Sequence, residues 1–217
     1  MLSAPCQKNH RLHFFEKVAP YYNFLLDLLT FGGYTKFLRK AVKILAPKNG
    51  EKILDLCSGT GRVVSWISQA VGEEGEGVGM DIAKSMIDVA RERYRGFSNV
   101  KFQQRDVTQS WEYQNYFDGI FTSFSLHEIP EKYRLGVLEK CYQALKERGR
   151  MVIADFNPEI SGTRKTLLTR FFKLFERENL NFLLFDQNEI LKKVGFGTVR
   201  TFPILGGVIQ IIFASKS

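Results

Sequence analysis

Asp55-Leu56-Cys57-Ser58-Gly59-Thr60-Gly61-Arg62 is the stretch that decides the fold. It begins inside Lys52–Cys57, a short and mostly apolar run of strand length. Beyond it, Val63, Val64, Ile67 and Val71 recur at helical spacing across Arg62–Val71. A strand, a tight glycine loop and a helix start put a ligand site at the carboxyl end of a parallel strand. Glycines in such a loop let a ligand approach the backbone without meeting a Cβ. A dinucleotide site would repeat Gly-x-Gly-x-x-Gly, but counting from Gly59 its third glycine position holds Val64. Asp55 also repels a pyrophosphate and suits a ligand that carries an ammonium group.

Working outward, Gly77–Asp81, Val100–Phe102, Phe117–Phe124 and Arg150–Phe156 read as further strands, with helices over Ala83–Arg95 and Glu131–Lys146. Alternating strands and helices imply right-handed crossovers and a parallel sheet covered on both faces. Gln187–Val194 reads as a helix, followed by strands at Thr198–Pro203 and Gly207–Ala214. The joint around Ile204–Gly206 is too short for a crossover helix, so these last two strands form an antiparallel hairpin. The expected fold is α/β: a doubly wound, mainly parallel seven-stranded sheet. Pro47–Gly50 marks the boundary between an N-terminal helical lid (1–48) and the ligand-binding domain (49–217), and a helical substrate cover (163–185) is inserted in that domain.

The loop fits the pattern Asp/Glu-x-Gly-x-Gly-x-Gly, with Cys57 in the first glycine's place. In this it resembles the S-adenosylmethionine (SAM) loop of class I methyltransferases, which have a Rossmann-like sheet. Two more carboxylates agree with that ligand. Asp81 ends the second strand, where it can accept both ribose hydroxyls. Asp106 follows the third strand, where it can accept the adenine amino group while Val107 offers its backbone N–H to the ring. The expected cofactor set is Asp55, Cys57, Ser58, Gly59, Thr60, Gly61, Asp81, Ile82, Met86, Asp106, Val107 and Ser123. On the acceptor side, His127, Glu128 and Tyr22 are the candidates for proton removal. Cys57 is expected to serve as a small loop residue, not as a nucleophile.

A closer resemblance surrounds these motifs. Phe15-Glu16-Lys17-Val18-Ala19-Pro20-Tyr21-Tyr22-Asn23, then Asp27–Gly32, Leu54–Gly61, Val71–Gly75 and Asp81–Met86 are similar to the ubiquinone/menaquinone biosynthesis C-methyltransferase family. The likeness covers about residues 14–157 and returns at Gly207-Val208-Ile209. It implies N-terminal helices that lid the cofactor and shape the acceptor pocket. The chain departs from the family at Asn23, where the family has Asp, and at Leu26, where it has Asn. It departs again at His127-Glu128, where the family has Arg-Asn, and across 157–186. The resemblance therefore implies methyl transfer from SAM to a small, largely apolar acceptor, of which a quinone precursor is one candidate. A lipid or other small-molecule N- or O-methyltransferase is the alternative. An RNA methyltransferase or a non-catalytic SAM-binding protein stands behind these.

Composition agrees with an enzyme domain. The 217 residues are 44% hydrophobic, with 19 Phe, 8 Tyr and 2 Trp, enough to build a core and too many for a disordered chain. The longest uncharged run lies between Arg200 and Lys216, short of a membrane span. Cys6, Cys57 and Cys141 are odd in number and far apart, so they frame neither a disulfide set nor a metal site, and they suit a reducing cytoplasm. The net charge of +8 is uneven, with basic flanks around an acidic middle. Arg164–Glu178 would place Leu167, Leu168, Phe171, Leu174 and Phe175 on one side of a helix, flanked by Arg164, Lys165, Arg170, Lys173 and Arg177. Such a helix is either a lid or a peripheral contact with an anionic membrane. The expected partners are a small-molecule acceptor and no nucleic acid, with the oligomeric state left open.

Overall fold

The computed structural model describes residues 10–175 and 177–217, the side chains of 10–11, 171–172 and 174–180 excepted. Cys6 and the side chains of Phe171, Leu174, Phe175 and Arg177 thus lie outside the described residues. The sheet has seven strands: β1 (Lys52–Leu56), β2 (Glu76–Asp81), β3 (Val100–Gln104), β4 (Phe117–Ser123), β5 (Leu145–Phe156), β6 (Thr198–Ile204) and β7 (Ile209–Ser215). Their order is β3-β2-β1-β4-β5-β7-β6. The first five pair in parallel, while β7 lies antiparallel to both β5 and β6. The chain order reverses between β1 and β4, the switch point at which open α/β sheets bind ligands.

The central strands are apolar because both of their faces are covered. Helices α3 (Gly33–Leu45) and α4 (Arg62–Val71) pack Phe37, Leu38, Ala41, Leu45, Val63 and Ile67 on one face, against Ile53 and Phe121. Helix α5 (Lys84–Arg93) joins that face through Ile87 and Ala90, which meet Val64 and Phe102. Helices α6 (Glu131–Ala144) and α8 (Gln187–Val194) cover the other face with Val137, Leu138, Cys141 and Leu191. Between them in the chain, α7 (Gly162–Phe175) leads into a 3₁₀ segment, Arg177–Leu184.

Two further helices, α1 (His10–Val18) and α2 (Tyr22–Leu29), precede α3 and are fastened to the sheet domain by carboxylates. Glu16 accepts hydrogen bonds from the backbone N–H groups of Lys84 and Ser85, at 2.8 and 2.9 Å. It thereby caps the start of α5 from a distant part of the chain. Asp27 accepts from both terminal nitrogens of Arg62, at 3.0 and 2.8 Å, and from the Thr35 hydroxyl at 2.6 Å. Arg62 is the first residue of α4, so each latch ends where a cofactor-side helix begins.

The observed β5 starts at Leu145, not at Arg150, and α6 stops at Ala144 instead of Lys146. The run Lys146–Arg150 is polar and holds Arg148 at φ +60°. Leu145 pairs with Phe117 before the register shifts at Gly119. An irregular, charged strand start carries no apolar period to read.

Candidate functional site

A cleft runs across the carboxyl ends of the parallel strands. Its floor is formed by Asp55 and Cys57–Thr60 at the end of β1, Asp81 and Ile82 at the end of β2, Asp106 and Val107 after β3, and Ser123–Ser125 at the end of β4. Leu12, Phe15, Tyr22 and Asn23 of the N-terminal helices line it from the opposite side, with Tyr34 and Leu38 of α3. Met86 of α5 and Glu128, Ile129 and Pro130 of the loop before α6 complete the wall.

The glycine loop is shaped by three left-handed residues: Cys57 at φ +59°, Gly59 at +52° and Gly61 at +76°. They do different jobs. A Cβ on Gly59 would meet nothing within 4 Å, so this position opens onto the cleft. A Cβ on Gly61 would come within 2.6 Å of the Phe102 ring, so this glycine permits α4 to pack on β3. Cys57 adopts a conformation that favours glycine, which explains why it stands where the loop pattern has one. Burial, then the Asp81 charge, pushes its thiol well above its ordinary pKa, so it is no ready nucleophile.

Three carboxylates follow one another along the floor. Asp55 is buried, and its pKa is pushed well up, first by burial and then by Asp81. A ligand ammonium is the counter-charge that would reverse this. Asp81 accepts from Gly59 N–H at 2.8 Å and Ala83 N–H at 2.9 Å, tying the first loop to the second. Asp106 accepts from the N–H and hydroxyl of Thr108, at 2.9 and 2.7 Å. The Ser58 hydroxyl is buried without a hydrogen-bond partner among the described residues. Three carboxylates lining one cleft, Asp55, Asp81 and Asp106, beside the open backbone at Gly59, suit the ammonium, hydroxyl and amino groups of S-adenosylmethionine. Asp55, Asp81 and Asp106 with Val107 are the residues that would hold it.

The β4 loop and the N-terminal helices α1 and α2 both line the cleft. Tyr22 lines it, with its ring edge-on to Phe15. Phe124 sits at φ +47° and packs against Tyr34 and Phe37. Tyr34 was not anticipated from sequence: it lines the cleft, and burial raises its pKa well above the usual range. Arg62 was also missed. It lines the cleft, though its place in the loop after Gly61 was legible.

Glu128 faces the cleft, but His127 lies behind the wall. The His127 ring is buried, with Nδ1 at 2.7 Å from Asp155 and Nε2 at 3.4 Å from Glu128. Burial alone would lower its pKa, but the Asp155 carboxylate, then Glu128, raises it to about 10. The ring is therefore an imidazolium at neutral pH and holds its proton. Asp155, the buried anion of this chain of charges, carried no motif to reveal it.

The described part of the 163–185 segment packs largely against the sheet domain. Leu168, Phe182, Leu183 and Phe185 are buried in the sheet-domain core, with the Phe182 ring beside His127. Its described side chains do not line the cleft. Leu167 points outward, so Leu167 and Leu168 do not share one apolar face. Arg134, wholly buried, braces the loop before α6 by donating to the carbonyls of Leu126 and Ile129, beneath Phe182 and Phe185. Among the described residues, no cluster of His, Cys, Asp and Glu is placed to hold a metal ion. None of the described helices is long and apolar enough to cross a membrane.

Comparison with known proteins agrees with this geometry. The ubiquinone/menaquinone biosynthesis C-methyltransferase UbiE of Photorhabdus laumondii is 35% identical over 146 residues, 66% of this chain and 57% of that protein. Its counterpart in Yersinia enterocolitica is 34% identical over the same share of each chain. The matched part thus spans little more than half of these curated relatives. A SAM-dependent methyltransferase from Aquifex aeolicus superposes with a TM-score of 0.62 at 23% identity, over 83% of this chain and 89% of that one. One from Mesorhizobium loti gives 0.64 at 15% identity, over 82% and 96%. These two share the fold. The model of the ubiE/COQ5 methyltransferase family matches residues 5–183, and the chain belongs to that family.

Proposed function

We propose that this chain transfers the methyl group of S-adenosylmethionine to a carbon of a small, largely apolar ring, such as a quinone precursor. The observation that carries this reading is the cleft itself. It joins the row Asp55, Asp81 and Asp106 to a wall of Phe15, Tyr22, Tyr34, Leu38 and Phe124. The relatives' names, which specify C-methylation in ubiquinone and menaquinone biosynthesis, point the same way.

When bound, S-adenosylmethionine supplies a methyl already activated by its sulfonium charge. The chain must hold a nucleophile in line with it and keep water out. The lid helices and Phe124 do the second. Glu128 is the carboxylate at the acceptor end, and it takes the proton that a ring hydroxyl or ring carbon gives up. His127 and Asp155 act behind it: the fixed imidazolium orients the Glu128 carboxylate toward the cleft. Tyr22 packs against the ring.

A second reading rests on the same Glu128. Where the family has Arg-Asn, this chain places a carboxylate in the wall, which also suits an amine acceptor. Incubation with S-adenosylmethionine bearing a deuterated methyl group, against a panel of hydroquinones and amines, separates the two. Label on a ring carbon, located by mass spectrometry, is the expected result. Label on nitrogen or oxygen alone overturns C-methylation, and no transfer to any acceptor overturns the enzymatic reading.

A further inference from the structure

Helix α2 has two unlike faces. Tyr22 and Asn23 line the cleft, and Asp27 is latched to Arg62. The outward face carries Phe24, Leu25, Leu28 and Leu29, with Tyr21 just before the helix and Phe31 in the turn after it. All six are exposed, Leu29 by 74% and Phe31 by 94%. Scattered exposed apolar residues are ordinary, but a whole helix face of them is not.

The free charges on this part of the chain are basic. Between residues 10 and 50 the carboxylates are Glu16 and Asp27, and both are engaged internally, on the start of α5 and on Arg62. Lys36, Lys40 and Lys43 line the solvent side of the adjoining α3, and Lys17 is exposed on α1. An apolar helix face with aromatic residues, bordered by unopposed lysines, matches the interface of an anionic bilayer in both hydrophobicity and charge.

We infer that the outward face of α2, from Tyr21 to Phe31, docks this protein on the surface of anionic membranes. A second protein copy would have to cover the same face with a surface that also tolerates the lysines, whereas anionic lipid headgroups satisfy them. The docked helix is the one whose inner face lines the cleft, so a lipid-like acceptor leaving the bilayer meets the lid directly. The inference deepens the proposed apolar acceptor. Vesicle binding is read without cofactor or acceptor, so either idea can fail without the other.

The test is co-sedimentation of the full chain with vesicles of phosphatidylcholine, alone or mixed with phosphatidylglycerol. Binding to the mixed vesicles is expected to be at least about tenfold tighter and to fall with added salt. The variant Phe24→Ser/Leu28→Ser should lose at least about tenfold of that binding. Lys36→Ala/Lys40→Ala should lose about fivefold per lysine on mixed vesicles and nothing on neutral ones. Both variants alter exposed side chains, and unchanged thermal melts will show that they fold. Equal binding to both vesicle types, or variants that bind like the wild type, overturns the proposal. So does a wild-type dimer that Phe24→Ser/Leu28→Ser converts to monomer without any vesicle binding, because a second copy would then cover the face.

Discussion

Replacing Asp155 with Asn tests whether the buried charges behind the cleft are as the geometry implies. The substitution keeps size and removes the carboxylate that faces His127 Nδ1 at 2.7 Å. With a His127 pKa of about 10, stripping its proton from the folded protein at neutral pH costs about 4 kcal/mol. Glu128 remains on the other nitrogen and retains part of that, so the expected loss of stability is about 3 kcal/mol, within the range for halving a buried ion pair. The sign with pH follows from the raised pKa. His127 in the unfolded chain titrates near 6.5, below its folded value, so its contribution is whole under about pH 6.5. It then drains away as pH rises toward about 10. Urea denaturation of both proteins across that interval, with the imidazole nitrogens followed by NMR, measures both effects. A loss under about 1 kcal/mol, a wild-type stability flat over that window, or a neutral His127 ring at pH 7 would refute the reasoning. His127→Phe/Asp155→Leu should be far milder than Asp155→Asn, because it removes both charges together.

Other outcomes follow from the cleft. Asp81→Ala should weaken S-adenosylmethionine binding by roughly 1.5–3 kcal/mol in isothermal titration, the worth of hydrogen bonds to a charged group. Glu128→Gln should cut kcat by about 10²-fold or more while cofactor affinity holds, if it takes the proton, and a retained kcat would leave positioning alone as its role. Gly61→Ala should destabilise by about 2 kcal/mol or more in denaturant melts, since its φ is +76° and its Cβ would meet Phe102. Cys57→Gly, relieving the same kind of backbone strain in a partly buried position, should fold at least as well as the wild type to within about 1 kcal/mol.

The sheet was legible because its signals are local. Arg62–Val71 and Gln187–Val194 carry their apolar spacing and their flanking glycines in the sequence, and both helices have those bounds in the structure. The floor of the cleft was legible for the same reason: Asp55 lies near the end of β1, Asp81 ends β2 and Asp106 follows β3, and these three strands are neighbours in the sheet. The acceptor side depends on contacts distant in the chain. Asp155 lies 28 residues from His127, and Phe182 reaches the same ring from farther still. Nothing at position 127 announces a buried imidazolium. Arg134 misleads more directly: an arginine in a helix reads as surface, yet here it is wholly buried as a brace for the loop. Tyr34 belongs to no motif, and only the fold brings it to the cleft wall against Phe124.

The two carboxylate latches have a thermodynamic consequence. Glu16 ends on the first turn of α5, which follows the Asp81 loop, and Asp27 ends on the first residue of α4, which follows the glycine loop. The lid is thus attached to the two places that must hold still for a cofactor to bind. Coupling of this kind is reciprocal: whatever order the lid lends to those loops, an occupied loop returns to the lid in equal measure. Ordering of α1 and α2 and ordering of those loops are then linked, so a ligand that stabilises the loops stabilises the two helices by the same free energy.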